Sequence, residues 1–323
     1  GDSAHGNFAQ SAGGGGTTST TTTTTDPMVS VPVDADVKVS GGGAHGIYAQ
    51  SIGDRMGAID VTVGPTATVQ GGAAATDGGA DDGAGIFIQD GTQATLSNAG
   101  TITSVLGTAG TAIRVVDTTA SIVNTGTITG QIVKASSIDL LNRRGGLINA
   151  GPLLDVDNLT NQGTLAVGGA GPIGSTRLTG NLIQTGSGVL AVDLDPGGAN
   201  DGSQADRLHV DGHADLGGDI AINLLDIWQP NDGMQSVPIV TADGGLYYAG
   251  VELTRSAVAQ YQLQQPAPGA LHLGYSIDFA NIGILAQTND NQDDIARYIH
   301  GIYRAQALDS AIARELIAIE ETH

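Results

Sequence analysis

Short apolar and β-branched runs, each closed by a glycine corner, recur along the first 180 residues of the chain. Leu96-Ser-Asn-Ala-Gly-Thr-Ile102, Ile122-Val-Asn-Thr-Gly-Thr-Ile128 and Leu159-Thr-Asn-Gln-Gly-Thr-Leu165 repeat one unit, an Asn-x-Gly corner between two strand-like segments. Asn tolerates the left-handed backbone region and Gly reaches it without a steric penalty, so this corner bends a strand sharply and can recur. Asn98 and Asn124 lie 26 residues apart, and the strands around Phe87 and Arg114 are offset by 27. That period holds roughly three strands of three to five residues with their corners, which predicts one coil of a right-handed parallel β-helix.

A second repeat supports the solenoid. Gly1-Asp-Ser-Ala-His-Gly-Asn-Phe-Ala-Gln-Ser-Ala-Gly13 returns as Gly42-Gly-Ala-His-Gly-Ile-Tyr-Ala-Gln-Ser-Ile-Gly53. A single coil cannot bury its inner face alone and is stabilised by stacking on its neighbours. An antiparallel sandwich also has short strands and frequent turns, but repeated units at related intervals favour the solenoid. An α/β enzyme fold lacks its crossover helices, since no helical periodicity appears before about residue 289.

Around Gly180 the strands lengthen: Val189–Asp193, Leu208–Asp211 and Asp219–Leu224. Later the alternation becomes strict, with Leu271, Leu273, Tyr275, Ile277 and Phe279 at every second position, so one face of that strand is buried. A solenoid end exposes apolar cross-section and unpaired edges, and a cap with larger side chains is required there. After Asn289 the period becomes helical. Ile295, Tyr298, Ile299 and Ile302, then Leu308, Ile312, Leu316 and Ile319, predict an amphipathic helix broken near Gly301 or Gln306. The expected fold is therefore all-β: a right-handed parallel β-helix with a C-terminal β cap and a short α-helical segment.

Composition sharpens this picture. The chain has 323 residues, of which 50 are Gly and none is Cys, and 12 Lys+Arg against 33 Asp+Glu give a formal charge of −21. Thiol enzymes and Cys-ligated metal sites are excluded. An acidic surface repels polyphosphate, so no nucleic-acid partner is expected. Of eleven aromatics, only Phe8, Tyr48 and Phe87 precede Trp228. A narrow aliphatic core followed by a differently packed cap accounts for that distribution. Thr17 to Thr25, eight threonines and one serine, reads as a protruding loop, as does the stretch from Gly71 to Gly85. The start Gly1-Asp2-Ser3 has neither a basic nor an apolar character, so the chain reads as a mature or excised fragment.

The Asn-x-Gly-Thr rungs, Ser203–Gly212 followed by Leu216–Ile222, and Leu273–Ala280 together resemble the pertactin-like passenger domains of bacterial autotransporters, the type V secretion proteins. The Ala-His-Gly-Ile-Tyr-Ala-Gln-Ser-Ile-Gly unit is similar to repeats in large glycine-rich members. The resemblance implies a glycine-rich β-helix over 1–180, a C-terminal region over 181–280 that includes an autochaperone, and a helical linker over 281–323 leading to an outer-membrane β-barrel translocator. The barrel itself does not follow within the chain and is expected in the full-length precursor. Zero cysteines and a high negative charge suit a chain exported unfolded and kept soluble.

Candidate chemistry is sparse. Gly1-Asp2-Ser3 matches the beginning of a Gly-Asp-Ser-Leu esterase motif, yet Ala4 replaces the Leu, no partner base follows, and no Gly-x-Ser-x-Gly occurs. The acidic stretches Gly78–Gly85 and Gly197–Gly202 depart from the tandem calcium-binding nonapeptide pattern and read as surface loops. The best ligand-like cluster is His209, Asp211 and His213 with Asp215. If the segment is extended, these side chains share one face and could meet a divalent metal. Alternation of polar and apolar positions explains the same pattern as a solvated strand face, and a bend at Gly212 would break the alignment, so no metal is assigned. Carboxylate pairs on a β-helix can cleave polysaccharides, given an aromatic or basic platform. Tyr48 and Phe87 are two candidate aromatic platforms in 1–180, beside a few bases such as Arg143 and Arg144. No catalytic residue and no cofactor are assigned. The expected function is non-enzymatic, at the bacterial surface or outside the cell. It would be adhesion to a host or neighbouring-cell receptor or matrix, autoaggregation, or surface structure; a β-helical lyase or glycosidase and a self-assembling surface protein are the alternatives.

Overall fold

A computed structural model describes residues 5–13, 28–54, 56–74, 83–168, 173–197, 204–225, 233–256, 258–280 and 290–304. The Thr-rich segment 17–25, Trp228 and the second half of the expected helix, from Leu308 to Ile319, lie outside the described residues.

The chain forms a parallel β-helix with three faces, here A, B and C in the order in which each coil visits them. Face B is the simplest, a parallel sheet of nine strands: Val29–Val33, Ile59–Val63, Ala94–Asn98, Thr119–Asn124, Ser137–Asn142, Asn158–Asn161, Asn181–Gln184, Ala214–Leu216 and Leu246–Tyr248. Faces A and C merge into one 18-stranded sheet, because Thr127–Lys134 and Leu147–Leu154 run round a corner from C to A and pair on both.

Among the described parallel strands the coils stack in register, with shifts between Thr111 and Ile113 and between Gly130 and Ile132. On face B the inward column reads Val31, Val61, Leu96, Ile122, Leu140, Leu159, Leu182, Ala214 and Leu246. On face C it reads Val37, Val69, Ile102, Ile128, Ile148, Leu165, Leu190, Ile220 and Leu253. Face A contributes Ile47, Ile86, Ile113, Ile132, Leu154, Leu178, Val210 and Ala242. Most of these side chains are buried, and each fully buried Ile, Leu or Val contributes about 1.5–3 kcal/mol relative to exposure. Three converging columns of branched aliphatics leave little room for aromatic rings near the axis, which explains their scarcity. The two Ala-His-Gly repeats are adjacent coils on face A, paired from Asn7↔Ile47 to Gly13↔Gly53.

Two residues beyond the aliphatic column of face B, the inward position becomes polar. Val63 is followed by Asn98, Asn124, Asn142, Asn161 and Gln184, and then by Leu216. Each amide nitrogen donates to the side-chain oxygen of the next coil: Asn98 to Asn124, Asn124 to Asn142 and Asn142 to Asn161, all at 2.8 Å, and Asn161 to Gln184 at 3.2 Å. The second hydrogens reach corner carbonyls, such as Thr164 O from Asn142 at 3.0 Å and Gly217 O from Gln184 at 2.8 Å. These five amides are buried, and the row closes the polar accounting of one corner. At the first rung the Oδ1 of Asn98 has no donor, since the coil before it offers Val63.

The corner therefore works differently from the left-handed bend expected of Asn-x-Gly. Neither Asn98, Asn124 nor Asn161 has positive φ, and neither do Gly100, Gly126 and Gly163. Asn is required for the interior row, and Gly for close approach: a Cβ on Gly126 would sit 2.1 Å from Gly100 O. The coil length also varies more than one 26-residue period suggests. Successive rungs from Asn98 to Gln184 are 26, 18, 19 and 23 residues apart.

Parallel stacking ends at Glu252–Leu253. Strands Ala259–Ala267 and Ala270–Ile277 form a hairpin, and the second of them pairs antiparallel with Gln235–Ala242. The alternating Leu271, Leu273, Tyr275, Ile277 and Phe279 all face inward and are buried, as the sequence predicts. Helix α1 (Asp290–Arg304) packs on this cap through Ile299, Ile302 and the buried Tyr303, whose ring meets Phe279 edge-on at 5.3 Å. It passes through Gly301 without the expected break there, while Ile295 and Tyr298 of its apolar stripe remain exposed.

Candidate functional site

Two surface features gather side chains with chemical capacity, and both lie on coils near the cap. The first sits where face A turns into face B. Successive coils place Arg177, His209 and Thr241 in register on the outer side of face A, and each coil then closes with an inward residue and a corner: Leu178-Thr179-Gly180, Val210-Asp211-Gly212 and Ala242-Asp243-Gly244. The three glycines stack, and a Cβ on Gly212 would come within 2.7 Å of Gly180 O. This tight corner lays Asp211 and Asp243 one above the other.

His209 is held from both ends. Its Nδ1 lies 2.9 Å from Thr241 Oγ1, and its Nε2 lies 3.3 Å from Asp211 Oδ1 and 3.5 Å from Asp243 Oδ2. The Arg177 guanidinium makes a two-pronged contact with the same Asp211 carboxylate, Nε to Oδ1 at 2.9 Å and Nη2 to Oδ2 at 2.7 Å. Those hydrogen bonds and the guanidinium charge hold the Asp211 carboxyl below its ordinary pKa and raise that of Arg177. Of the sequence candidates, His209 and Asp211 thus come together. His213 and Asp215 do not join them, because the Gly212 corner intervenes and they lie on face B. Asp243 takes the third place. Sequence reasoning missed it because its partner coil is 32 residues away, although the repeated apolar-Asp-Gly corner was the available signal.

The second feature is a groove of about 630 Å³ across face B, lined by Asn158, Asn181, Ile183, His213, Asp215 and Tyr247 among others. Ile183, Asp215 and Tyr247 are outward neighbours on three consecutive coils. Tyr247 is 65% and Ile183 48% exposed, unusual for such side chains standing in a row. One wall is an amide relay in which Asn158 donates to Asp139 at 2.8 Å and Asn181 to Asn158 at 3.1 Å.

The candidate aromatic platforms, Tyr48 and Phe87, are register neighbours on face A. The two rings are stacked on each other at 4.9 Å and 6° in the sequence of face A, and Arg114 covers Phe87 at 5.4 Å. Phe8 leans on Tyr48 at 5.2 Å, and His5 stacks on His45 at 5.0 Å. His5 and His45 each accept a backbone N–H of the following coil through Nδ1, from His45 and Ala84 respectively. The repeated Ala-His-Gly unit is therefore a stacking device. Arg143 and Arg144 occupy a face B to face C corner and are exposed, beside the buried Asn142.

One carboxyl is unusual. Asp206, 1% exposed, accepts from Gly174 N at 2.6 Å and Asp193 N at 3.0 Å and anchors two chain segments at once. Burial, opposed by those two hydrogen bonds and reinforced by the nearby Asp193 carboxylate, pushes its pKa up to about 7. Among the described residues no helix is long and apolar enough to cross a membrane. No protein-family model matches the chain, and no match is found among curated proteins.

Proposed function

We propose that this chain is part of a surface-displayed passenger of the autotransporter kind, acting outside the cell by binding rather than by chemistry. The observation that carries the reading is a stack of in-register coils closed by an antiparallel hairpin, with an exposed row of Ile183, Asp215 and Tyr247 along one face. An axially stacked rod holds such a row rigidly away from its base, which suits adhesion to a receptor, a matrix or a second cell. The absence of cysteine and the charge of −21 suit export in an unfolded state. In this reading residues 181–280 include an autochaperone that seeds folding, residues 281–323 link to an outer-membrane barrel in the precursor, and the coils stack outward from the cap.

The test is display of the chain on a non-adherent bacterium, followed by attachment to matrix-coated wells and by cell–cell aggregation. The expected result is a gain of attachment or aggregation that Tyr247→Ala or Ile183→Asp removes while the β-sheet signal of the purified chain is unchanged. Full display with neither attachment nor aggregation would overturn the reading. Release of reducing ends from a polysaccharide panel would instead make the chain an enzyme.

A further inference from the structure

We propose that His209, Asp211 and Asp243 form a binding site for one divalent transition-metal ion, with zinc the best-suited, clamping two successive coils at the face A to face B corner. The argument rests on distances. In a tetrahedral zinc site with ligand bonds of about 2.0–2.2 Å, any two ligand atoms are separated by about 1.63 times the bond length, or roughly 3.3–3.6 Å. His209 Nε2 stands 3.3 Å from Asp211 Oδ1 and 3.5 Å from Asp243 Oδ2, so two of the three tetrahedral edges are already at their required length. All three ligand atoms lie within 4.8 Å of one another. The remaining carboxylate edge closes by rotation of Asp243, whose side chain is 67% exposed and free to turn.

The surroundings also match what a metal ligand needs. A ligating imidazole is normally fixed through its other nitrogen, and Thr241 Oγ1 at 2.9 Å from Nδ1 provides that hold, leaving Nε2 directed at the two carboxylates. A ring nitrogen with a single hydrogen can satisfy only one of two converging acceptors, whereas a dication engages the nitrogen and both oxygens together. Arg177 fixes the Asp211 carboxylate by hydrogen bonds to both of its oxygens, including the Oδ1 that faces His209, as an outer-sphere partner would, and leaves the pair of carboxylates with an excess negative charge for the ion. Three protein ligands leave the fourth position to water. One imidazole with carboxylates selects zinc and its neighbours over calcium, which prefers six or more oxygens. The inference is independent of the adhesive role.

Titration of the chelator-treated 323-residue chain with zinc, followed calorimetrically, tests it. The expected result is one ion per chain. Binding should be at least tenfold weaker in His209→Ala and in Asp243→Asn, weakened severalfold in Thr241→Val, and unchanged in the exposed-carboxylate control Asp219→Asn. Cobalt in place of zinc should give the intense visible bands of a four-coordinate ion in the wild type and lose them in both ligand variants, with their circular dichroism unchanged. No uptake, or uptake equal in the wild type, His209→Ala and Asp243→Asn, would overturn the proposal, the latter because the ions would then be spread over the acidic surface.

Discussion

Replacing an interior rung of the amide row should cost far more than replacing its first rung. Asn124 donates to Asn142 Oδ1 at 2.8 Å, to Gly126 O at 3.1 Å and to Leu147 O at 3.3 Å, and accepts from Asn98 Nδ2 at 2.8 Å. In Asn124→Val the Asn142 Oδ1 loses its donor while the Asn98 Oδ1 remains unpartnered, so the buried row gains one orphan acceptor. Such a group costs about 1–3 kcal/mol, and the weakened hold on the corner adds to it, giving roughly 2–4 kcal/mol. In Asn98→Val the arithmetic differs. The variant deletes the acceptor that is already orphaned and creates another at Asn124 Oδ1, so the number of orphans is unchanged and the cost is about 1 kcal/mol or less. Replacing all five rungs by Val or Leu leaves no orphan in the row and should destabilise less than Asn124→Val alone. Urea unfolding, followed by far-UV circular dichroism at matched m-values, measures all three. Equal midpoints for Asn98→Val and Asn124→Val would refute the reasoning, because the row would then contribute through shape and not through satisfied polarity.

Asp206 predicts a stability that rises on mild acidification. Its folded pKa of about 7 exceeds the ordinary value near 3.9, so the folded state binds the proton more tightly. Its contribution is complete below about pH 4 and is lost as the pH rises through about 7. Between pH 8 and pH 5 the wild type should gain stability, on the order of a few kcal/mol, and Asp206→Asn should flatten that slope; parallel slopes would remove Asp206 as the cause. Gly126→Ala places a methyl group 2.1 Å from Gly100 O and 2.5 Å from the Ala99 carbonyl carbon, both backbone atoms that cannot give way without parting two coils. It should lower the urea midpoint by an amount equivalent to about 2 kcal/mol or more. Gly217→Ala, whose Cβ finds no atom nearer than 3.2 Å and whose φ is not positive, should be much milder, and hydrogen exchange on the flanking strands would locate the damage.

Much of the fold was legible because β-helix stacking repeats its demands. The alternation from Leu271 to Phe279, the paired Ala-His-Gly units and the Asn-x-Gly-Thr copies each depend on one local rule that the sequence displays directly. Asn142 escaped notice because Arg143-Arg144-Gly145 lengthens its corner and hides the spacing, although its side chain occupies the same interior rung. Gln184 was hidden by its chemical difference from Asn, which does not matter to a row that needs only an amide. The cluster of His209, Asp211 and Asp243 was half legible. Strand alternation placed His209 and Asp211 together, but it also carried His213 across a corner where the stacked Gly180, Gly212 and Gly244 turn the chain away. Asp243 belongs to a different coil, and pairing between coils is set by how many residues the intervening loop consumes, which local patterns do not record.

That independence of loop length from pairing has a consequence for how the molecule can vary. Val63 and Asn98 are register neighbours 35 residues apart, and Asn124 and Asn142 are equally good neighbours 18 apart. Over the five coils that it joins, the amide row acts as a reading frame: a coil is in phase when its carboxamide reaches the rung, whatever distance the chain has travelled between rungs. Insertions at the corners can therefore redraw the outer surface coil by coil without re-indexing the rod, whereas a single-residue slip inside a face B strand would turn an amide outward and an outward side chain into the core. Tolerance and intolerance to change alternate along this chain with the same period as its folding.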